Sequence, residues 1–324
     1  MSDARTIPIE TSADETPGLL ADYVALTKPR IARLVTITAG LGFALAVAAG
    51  EAWTWLGLFG SLAGTAASCM AASVFNQAWE KQTDARMPRT RNRPIAAGRI
   101  TREKAVWFGV ALMLLGQGLL CAMGTPLASA IAGLTILLYV LVYTPMKRVS
   151  PWALWVGAVP GALPPVIGYA AATRSSSWEF PALGQTWVID VFGRVDAIAW
   201  VVFAVMVFWQ IPHFLGIAWM YRKDYAAGGL PMRPVVDPAG RWTAVEALVG
   251  CVLLLVAVLW PVWAGMAGWG YAAVSGLACV VFTATAVRFA ARRDDASARV
   301  MFFVSLPVLP VLLGALVAAG FLGW

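Results

Sequence analysis

The sequence predicts an all-α polytopic membrane protein of nine transmembrane helices with a cytoplasmic N-terminus. Three observations predict it. Hydrophobic residues make up 60% of the 324-residue chain, charged residues only 13%, and the mean hydropathy is +0.73. An ordinary soluble domain is about 25% charged, so this chain cannot coat a water-facing surface. Second, the chain divides into nine runs of about 20 mostly apolar residues, the length that crosses a bilayer as helix. Third, a cytoplasmic N-terminus puts all but two of the 24 Lys and Arg residues in inside segments, as the positive-inside rule requires. The exceptions are Arg174 and Arg194.

The same composition excludes a secreted enzyme, a disordered chain and a disulfide scaffold. One histidine and no paired-cysteine motif exclude a zinc site of the usual kind. The net charge of +7 reads as basic cytoplasmic loops beside anionic lipid or substrate, with no call for nucleic acid. Cys69, Cys121, Cys251 and Cys279 each lie inside an apolar run and read as small packing residues.

Residues 1–17 are polar and carry Asp3, Glu10, Asp14 and Glu15 without an apolar signal core. They read as a flexible cytoplasmic tail, leaving 18–324 as a single transmembrane domain. The first two spans fall near 31–50 and 53–75. The second runs into Asn76-Gln-Ala-Trp-Glu80-Lys-Gln-Thr-Asp84. If the helix continues, Asn76, Glu80 and Asp84 at i, i+4, i+8 share one face, each about 6 Å further along. Oxygen donors in such a row suit a hard cation such as Mg²⁺. A row about 12 Å long is too long for one ion to touch all three, so bridging through a bound phosphate fits better. A plain solvated helix end is the competing reading.

Pro88 and Pro94 bracket the next segment and argue against helix there. In an extended chain Arg89, Arg91 and Arg93 point to one side, and guanidinium groups in that arrangement suit phosphate oxygens. Acids for a metal followed by arginines for phosphate is the constellation expected for a diphosphate–Mg²⁺ substrate.

Spans near 105–124 and 126–144 follow, joined at Gly124-Thr125-Pro126. Gln117 is buried in the third without a visible partner. Tyr143-Thr-Pro-Met-Lys147-Arg148 ends the fourth, and its bases are either phosphate contacts or snorkelling anchors. The fifth span, near 152–172, is interrupted by Pro160, Pro164 and Pro165, which should kink it and widen a cavity. The sixth, near 196–221, holds the only histidine, in Trp209-Gln-Ile-Pro212-His213-Phe214. An ionisable group inside a membrane is costly and more often functional than not, and Pro212 frees a carbonyl beside it. In a continuous helix His213 sits about 16 Å from Asp224. That depth suits a large amphipathic substrate, with its charged end at the rim and its ring buried.

The loop Tyr221-Arg-Lys223-Asp224-Tyr225 through Gly228-Gly229 to Asp237 supplies another acid, Asp224, which should oppose the first acidic row. Asp237 reads as a solvated loop residue. Spans near 243–266, 269–290 and 301–324 complete the chain. The two long inside loops lie four spans apart, a weak internal echo of the kind found in repeat-built transporters.

Together these segments resemble the UbiA superfamily of intramembrane prenyltransferases, and within it the heme-farnesylating branch. The matches are Asp22-Tyr-Val-Ala-Leu-Thr27-Lys28-Pro29-Arg30, the Asn76–Pro94 block, Tyr143-Thr-Pro, Gly161-Ala-Leu-Pro164-Pro165, Trp209–Phe214 and Tyr221–Val236. They cover nearly all nine spans. The resemblance implies a UbiA-type helical bundle with farnesyl diphosphate, heme B and water as substrates, converted to hydroxyethylfarnesyl heme (heme O). It implies Mg²⁺ held by Asn76, Glu80, Asp84 and Asp224, with Arg89, Arg93, Lys147 and Lys223 as phosphate partners and Arg91, Tyr221 and Tyr225 completing the diphosphate rim. Asp84, Glu80, Asp224 and His213 would carry the catalysis, with His213 also binding or orienting heme. It further implies a bacterial inner membrane with the site facing the cytoplasm. Membrane lipid would surround the enzyme, and heme A synthase or oxidase assembly factors would be its neighbours. The sequence departs from the superfamily pattern at Glu80, where Asp is common, at the single acid of the second loop, and at Ser305-Leu-Pro307. A prenyltransferase with another aromatic or tetrapyrrole acceptor shares the diphosphate site. A repeat-built transporter is the remaining alternative.

Overall fold

Apolar runs without backbone partners in lipid must close their hydrogen bonds internally, and helices do so. The computed structural model describes residues 18–173 and 196–322. Among these, nine helical segments are long and apolar enough to cross a membrane. The expected tail and the two outside arginines, Arg174 and Arg194, lie outside the described residues.

The first span combines α1 (Leu19–Thr27) and α2 (Pro29–Ala48). Lys28 separates them in a left-handed conformation, φ 48°. Then come α3 (Trp55–Arg86), α4 (Arg102–Met123) and α5 (Pro126–Met146), the last containing a π-helical turn at Leu138–Tyr143. Thr54, Thr101 and Thr125 cap the N-termini of α3, α4 and α5 by accepting backbone N–H bonds through their hydroxyls. The fifth span is split at Leu163 into α6 (Ala153–Ala162) and α7 (Pro164–Ala172), because Pro164 cannot donate to the ladder. Next is α8 (Ala197–Met220), followed by two short rim helices, α9 (Arg222–Ala227) and α10 (Arg233–Val236). The remaining spans are α11 (Arg241–Trp263), α12 (Trp269–Arg292) and α13 (Asp295–Leu322). The first and last spans begin earlier than expected: a short, largely apolar helix, α1, precedes Pro29 in the first, and polar residues from Asp295 to Arg299 supply the first turn of the last.

Side chains facing outward, such as Leu114, Leu115, Val252, Leu277 and Val280, are exposed and apolar, as a lipid-facing surface requires. The interior is made close by small residues. A Cβ added to Gly42 would stand 1.9 Å from the Pro165 carbonyl oxygen, and one on Gly168 would stand 1.8 Å from that of Ala39. The fifth span is interrupted at its prolines as expected, and Gly42 and Gly168 let α7 pack directly against α2. Gln117, which lacked a visible partner, donates to Ser68 Oγ at 3.4 Å and accepts from Ser129 Oγ at 2.8 Å. Cys251 and Cys279 are buried as expected, whereas Cys121 is exposed on the outer surface of α4.

α3 is 32 residues long, about 48 Å at 1.5 Å per residue, against an apolar bilayer core of about 30 Å. Its last turns therefore project past the apolar zone. They meet the loops that follow α5 and α8 on one strongly basic face.

Candidate active site

Asn76, Glu80 and Asp84 lie on one face of α3 as their spacing predicts, and all three are buried. A buried charge needs a partner, and each of these side chains has a basic one. Lys28 Nζ donates to Asn76 Oδ1 at 3.3 Å, and Asn76 Nδ2 donates to Thr144 Oγ1 at 3.1 Å. Thr144 in turn donates to the Tyr139 carbonyl, in the π-helical turn of α5, at 2.8 Å. Glu80 forms an ion pair with Lys147, whose ammonium sits 4.7 Å from the Tyr143 ring centroid. Burial works against the Lys147 charge, but the Tyr143 hydroxyl and the Glu80 carboxylate outweigh it and hold its pKa above the usual lysine range. Asp84 pairs with Arg93 at 2.8 Å.

The arginines do not project together from an extended strand. Thr90 and Arg91 N–H donate to the Met87 carbonyl, and Arg93 N–H donates to that of Thr90. These successive turns send the three side chains to different places. Arg93 folds back on Asp84. Arg89 lies 4.8 Å over the Tyr221 ring and 6.0 Å from that of Tyr225. Arg91 is exposed.

Arg89 thus joins the first basic loop to the second. Gly228 packs on Thr83 of α3 and on Met87 just beyond its end, so the second loop lies over the first. Asp224 is half-buried in the first turn of α9, and Lys223 is exposed. The chain bends between α8 and α9 at Tyr221, φ −103° and ψ 19°, so the continuous helix used to space His213 from Asp224 is not kept. Asp237 is not a solvated loop residue. It is buried and accepts from both the backbone N–H and hydroxyl of Thr243, closing the start of α11. A small polar cavity of about 150 Å³ opens beside the acidic row, between Gln82, Thr83, Arg86, Arg148, Gly228 and Gly229.

Lys28 is the site residue that pattern reading missed. A base between a short helix and Pro29 at the start of a span was the available signal. Among the described residues, no three His, Cys, Asp or Glu side chains converge to hold a metal by themselves. The oxygen donors of α3 instead stand in series, interleaved with Lys28, Lys147 and Arg93.

Seven residues before the end of α8, about 10 Å deeper, His213 is buried. Its ring stacks on Trp209 at 4.6 Å and 21°, with Phe302 and Phe214 at 5.1 and 5.2 Å. Its Nδ1 lies 2.6 Å from Ser305 Oγ on α13.

The model of the UbiA prenyltransferase family matches residues 34–306. The chain is 40% identical over 299 residues to a protoheme IX farnesyltransferase of Opitutus terrae, covering 92% of this chain and 94% of that one. It is 34% identical over 298 residues to the mitochondrial protoheme IX farnesyltransferase of Arabidopsis thaliana, covering 91% of this chain and 64% of that one. In fold it is similar to a digeranylgeranylglyceryl phosphate synthase, with a TM-score of 0.72 at 15% identity over 93% of this chain and 98% of that one. It is also similar to a UbiA homologue from Archaeoglobus fulgidus bound to GPP and Mg²⁺, with a TM-score of 0.56 at 13% identity over 91% of this chain and 99% of that one. Extent of match, sequence likeness and helical architecture agree, and the chain belongs to the UbiA prenyltransferase family.

Proposed function

We propose that this protein transfers the farnesyl group of farnesyl diphosphate to a vinyl group of heme B, with addition of water, and releases diphosphate. One observation carries the reading: buried carboxylates and cations alternate at the basic end of the bundle, above an interior of apolar side chains. A diphosphate brings concentrated negative charge, and a prenyl chain needs a dry channel. The protoheme IX farnesyltransferase names of its relatives supply the acceptor.

The donor set of Asn76, Glu80 and Asp84 is all oxygen and therefore fits Mg²⁺, with Asp224 approaching from the second loop. Mg²⁺, when bound with the substrate, neutralises the diphosphate and makes it a better leaving group. The chain's own part is an exchange of partners. Arg93 and Lys147 turn from Asp84 and Glu80 to the phosphate oxygens, joined by Lys28. That frees carboxylate oxygens, while the cations stabilise charge developing on the leaving group. Arg89 and Lys223, with Tyr221 and Tyr225, close the rim, and Arg91 adds to its positive field. The farnesyl C1–O bond breaks, and diphosphate departs toward the basic face. The heme vinyl carbon then attacks farnesyl C1 in a channel whose apolar walls keep water from the allylic cation. One water traps the new cation and loses a proton, leaving the hydroxyl. The basic loops favour a site facing the cytoplasm of a bacterial inner membrane.

The test incubates membranes containing the protein with heme B, farnesyl diphosphate and Mg²⁺, and looks for hydroxyethylfarnesyl heme by mass spectrometry. Product that disappears with chelator and in Asp84→Ala supports the reading. Diphosphate release only with another aromatic acceptor would retain prenyl transfer and reject heme. Flux of substrate across sealed vesicles without any covalent product would point to a transporter instead.

A further inference from the structure

The cavity of about 150 Å³ at the basic end of the bundle is lined by Gln82, Thr83, Arg86, Arg148, Gly228 and Gly229. None of these side chains joins the ion pairs of the acidic row, yet the cavity adjoins that row closely. Thr83 and Asp84 are consecutive on α3, about 100° apart around its axis. Lys147 and Arg148 are consecutive after α5. In each couple one residue belongs to the ion pairs of the row and the other lines the cavity.

The polar groups of the cavity are not spent on one another. Thr83 is buried, and its hydroxyl has no hydrogen-bond partner among the described residues. Thr38 and Thr285, also buried, donate to the carbonyls of Val35 and Phe282 at 2.9 and 2.6 Å. One turn before Thr83 stands the Trp79 carbonyl, with two lone pairs. The helix ladder takes one, and Arg148 Nη2 takes the other at 3.2 Å. Arg86, the last residue of α3, is exposed, and no carboxylate pairs with it among the described residues. A side chain added to Gly229, at φ 69°, would meet nothing within 4 Å, so bare backbone forms this wall. A buried hydroxyl without a partner is costly, and a ligand in the cavity would supply one.

Pockets for drug-sized ligands run to about 300–1,000 Å³, so this one suits a compact ion rather than a prenyl chain or a porphyrin. Two guanidinium groups and an unpaired hydroxyl suit phosphate oxygens. The adjoining carboxylates, Asp84 and Glu80, are neutralised by Arg93 and Lys147. We propose that this cavity is a second anion site, which takes up the diphosphate product as it leaves the reaction site. The proposal rests on the diphosphate reading above and deepens it by assigning the exit. Diphosphate that lets go of Lys147 meets Arg148 on the next residue, and the acidic row recovers its own ion pairs behind it.

The experiment uses the purified full-length protein in zwitterionic lipid nanodiscs, with Mg²⁺ and saturating farnesyl S-thiolodiphosphate, an analogue that resists cleavage and fills the reaction site. Labelled inorganic pyrophosphate is titrated in, and both bound ligands are counted. The expected result is one pyrophosphate per chain with the analogue still in place. Arg86→Gln and Arg148→Gln should each weaken pyrophosphate binding about tenfold or more, and Thr83→Val about fivefold. Lys81→Gln, exposed and outside the cavity, should change nothing. Retained analogue binding shows that each variant is folded. In a single turnover with heme B and farnesyl diphosphate, diphosphate release should trail farnesyl transfer by more in Arg148→Gln than in wild type. Pyrophosphate that binds only by displacing the analogue, unchanged binding in the arginine variants, or release that keeps pace with transfer in Arg148→Gln overturns the proposal. Nanodiscs containing phosphatidylglycerol separate the sources of phosphate: loss of pyrophosphate to the anionic lipid assigns the cavity to a headgroup and overturns the exit role. The binding assay contains no heme and is independent of the acceptor. A wild-type protein that binds neither analogue nor pyrophosphate overturns the diphosphate reading itself.

Discussion

Arg93 donates through a single nitrogen to both carboxylate oxygens of Asp84, at 2.8 Å each. The two ends differ in environment: the Asp84 side chain is 1% exposed and that of Arg93 is 25% exposed. Asp84 is therefore the member that cannot be left alone.

Arg93→Ala strands a buried carboxylate. Breaking a fully buried pair costs about 3–5 kcal/mol, and the part-exposed arginine places this case toward the lower end. Adding Asp84→Asn removes the stranded charge and should recover much of the lost stability. Activity should not follow, because a metal and phosphate partner is gone; transfer should stay down about 100-fold or more. Thermal unfolding and product formation, measured on the two single variants and the double variant, separate these effects.

Lys147 is held above the ordinary lysine range, with Glu80 among its partners. A raised folded-state pKa gives stability that is complete below the unfolded value of about 10.4. It fades only as pH climbs through the higher folded value. Glu80→Gln should therefore be less stable than wild type by a constant margin from pH 7 to about 10. The margin should close only in stronger alkali. A margin that shrinks near pH 8 in thermal unfolding would reject this pairing.

On the proposed reading, chelation should abolish transfer without abolishing heme binding, since the metal serves the diphosphate and not the heme. Restored Mg²⁺ should recover the rate. Glu80→Gln should need more Mg²⁺ than wild type for half-maximal rate, about tenfold if a hydrogen-bonded charge is worth about 1.5 kcal/mol. Rates over a Mg²⁺ titration, with heme binding followed in parallel, check both statements.

Packing at the α2–α7 crossing predicts a contrast between like substitutions. Gly168→Ala would drive a methyl into the Ala39 carbonyl, whereas a Cβ on Gly276 meets nothing within 4 Å. The first should cost about 1–3 kcal/mol or more through overpacking, and the second should be nearly silent. Folded yield and unfolding temperature of the two variants decide it.

The nine spans and the acidic row were legible in the sequence because lipid leaves an apolar run one option and helical spacing fixes which side chains share a face. Asn76, Glu80 and Asp84 follow directly from that. The arginine loop was not legible. Pro88 and Pro94 exclude helix but do not distinguish an extended strand from successive turns, and the turns send Arg89 and Arg93 to different partners. Lys28 was hidden for a similar reason, since its contact with Asn76 spans 48 positions. The contact of Ser305 with His213 could not be read either, because it depends on α8 and α13 lying side by side. Asp237 looked solvated because nothing in its neighbourhood announces that Thr243 will turn back to it.

Lys28 occupies a left-handed backbone conformation, φ 48° and ψ 63°, that costs an ordinary residue about 1–2 kcal/mol. Glycine would adopt it without penalty. Lys28→Gly should therefore relax the joint between α1 and α2 while removing the ammonium from Asn76. On the proposed reading, a campaign that ranked variants of this protein by heat resistance alone would be drawn to that replacement and would enrich for molecules that grip diphosphate less well. At this position durability and turnover select opposite residues.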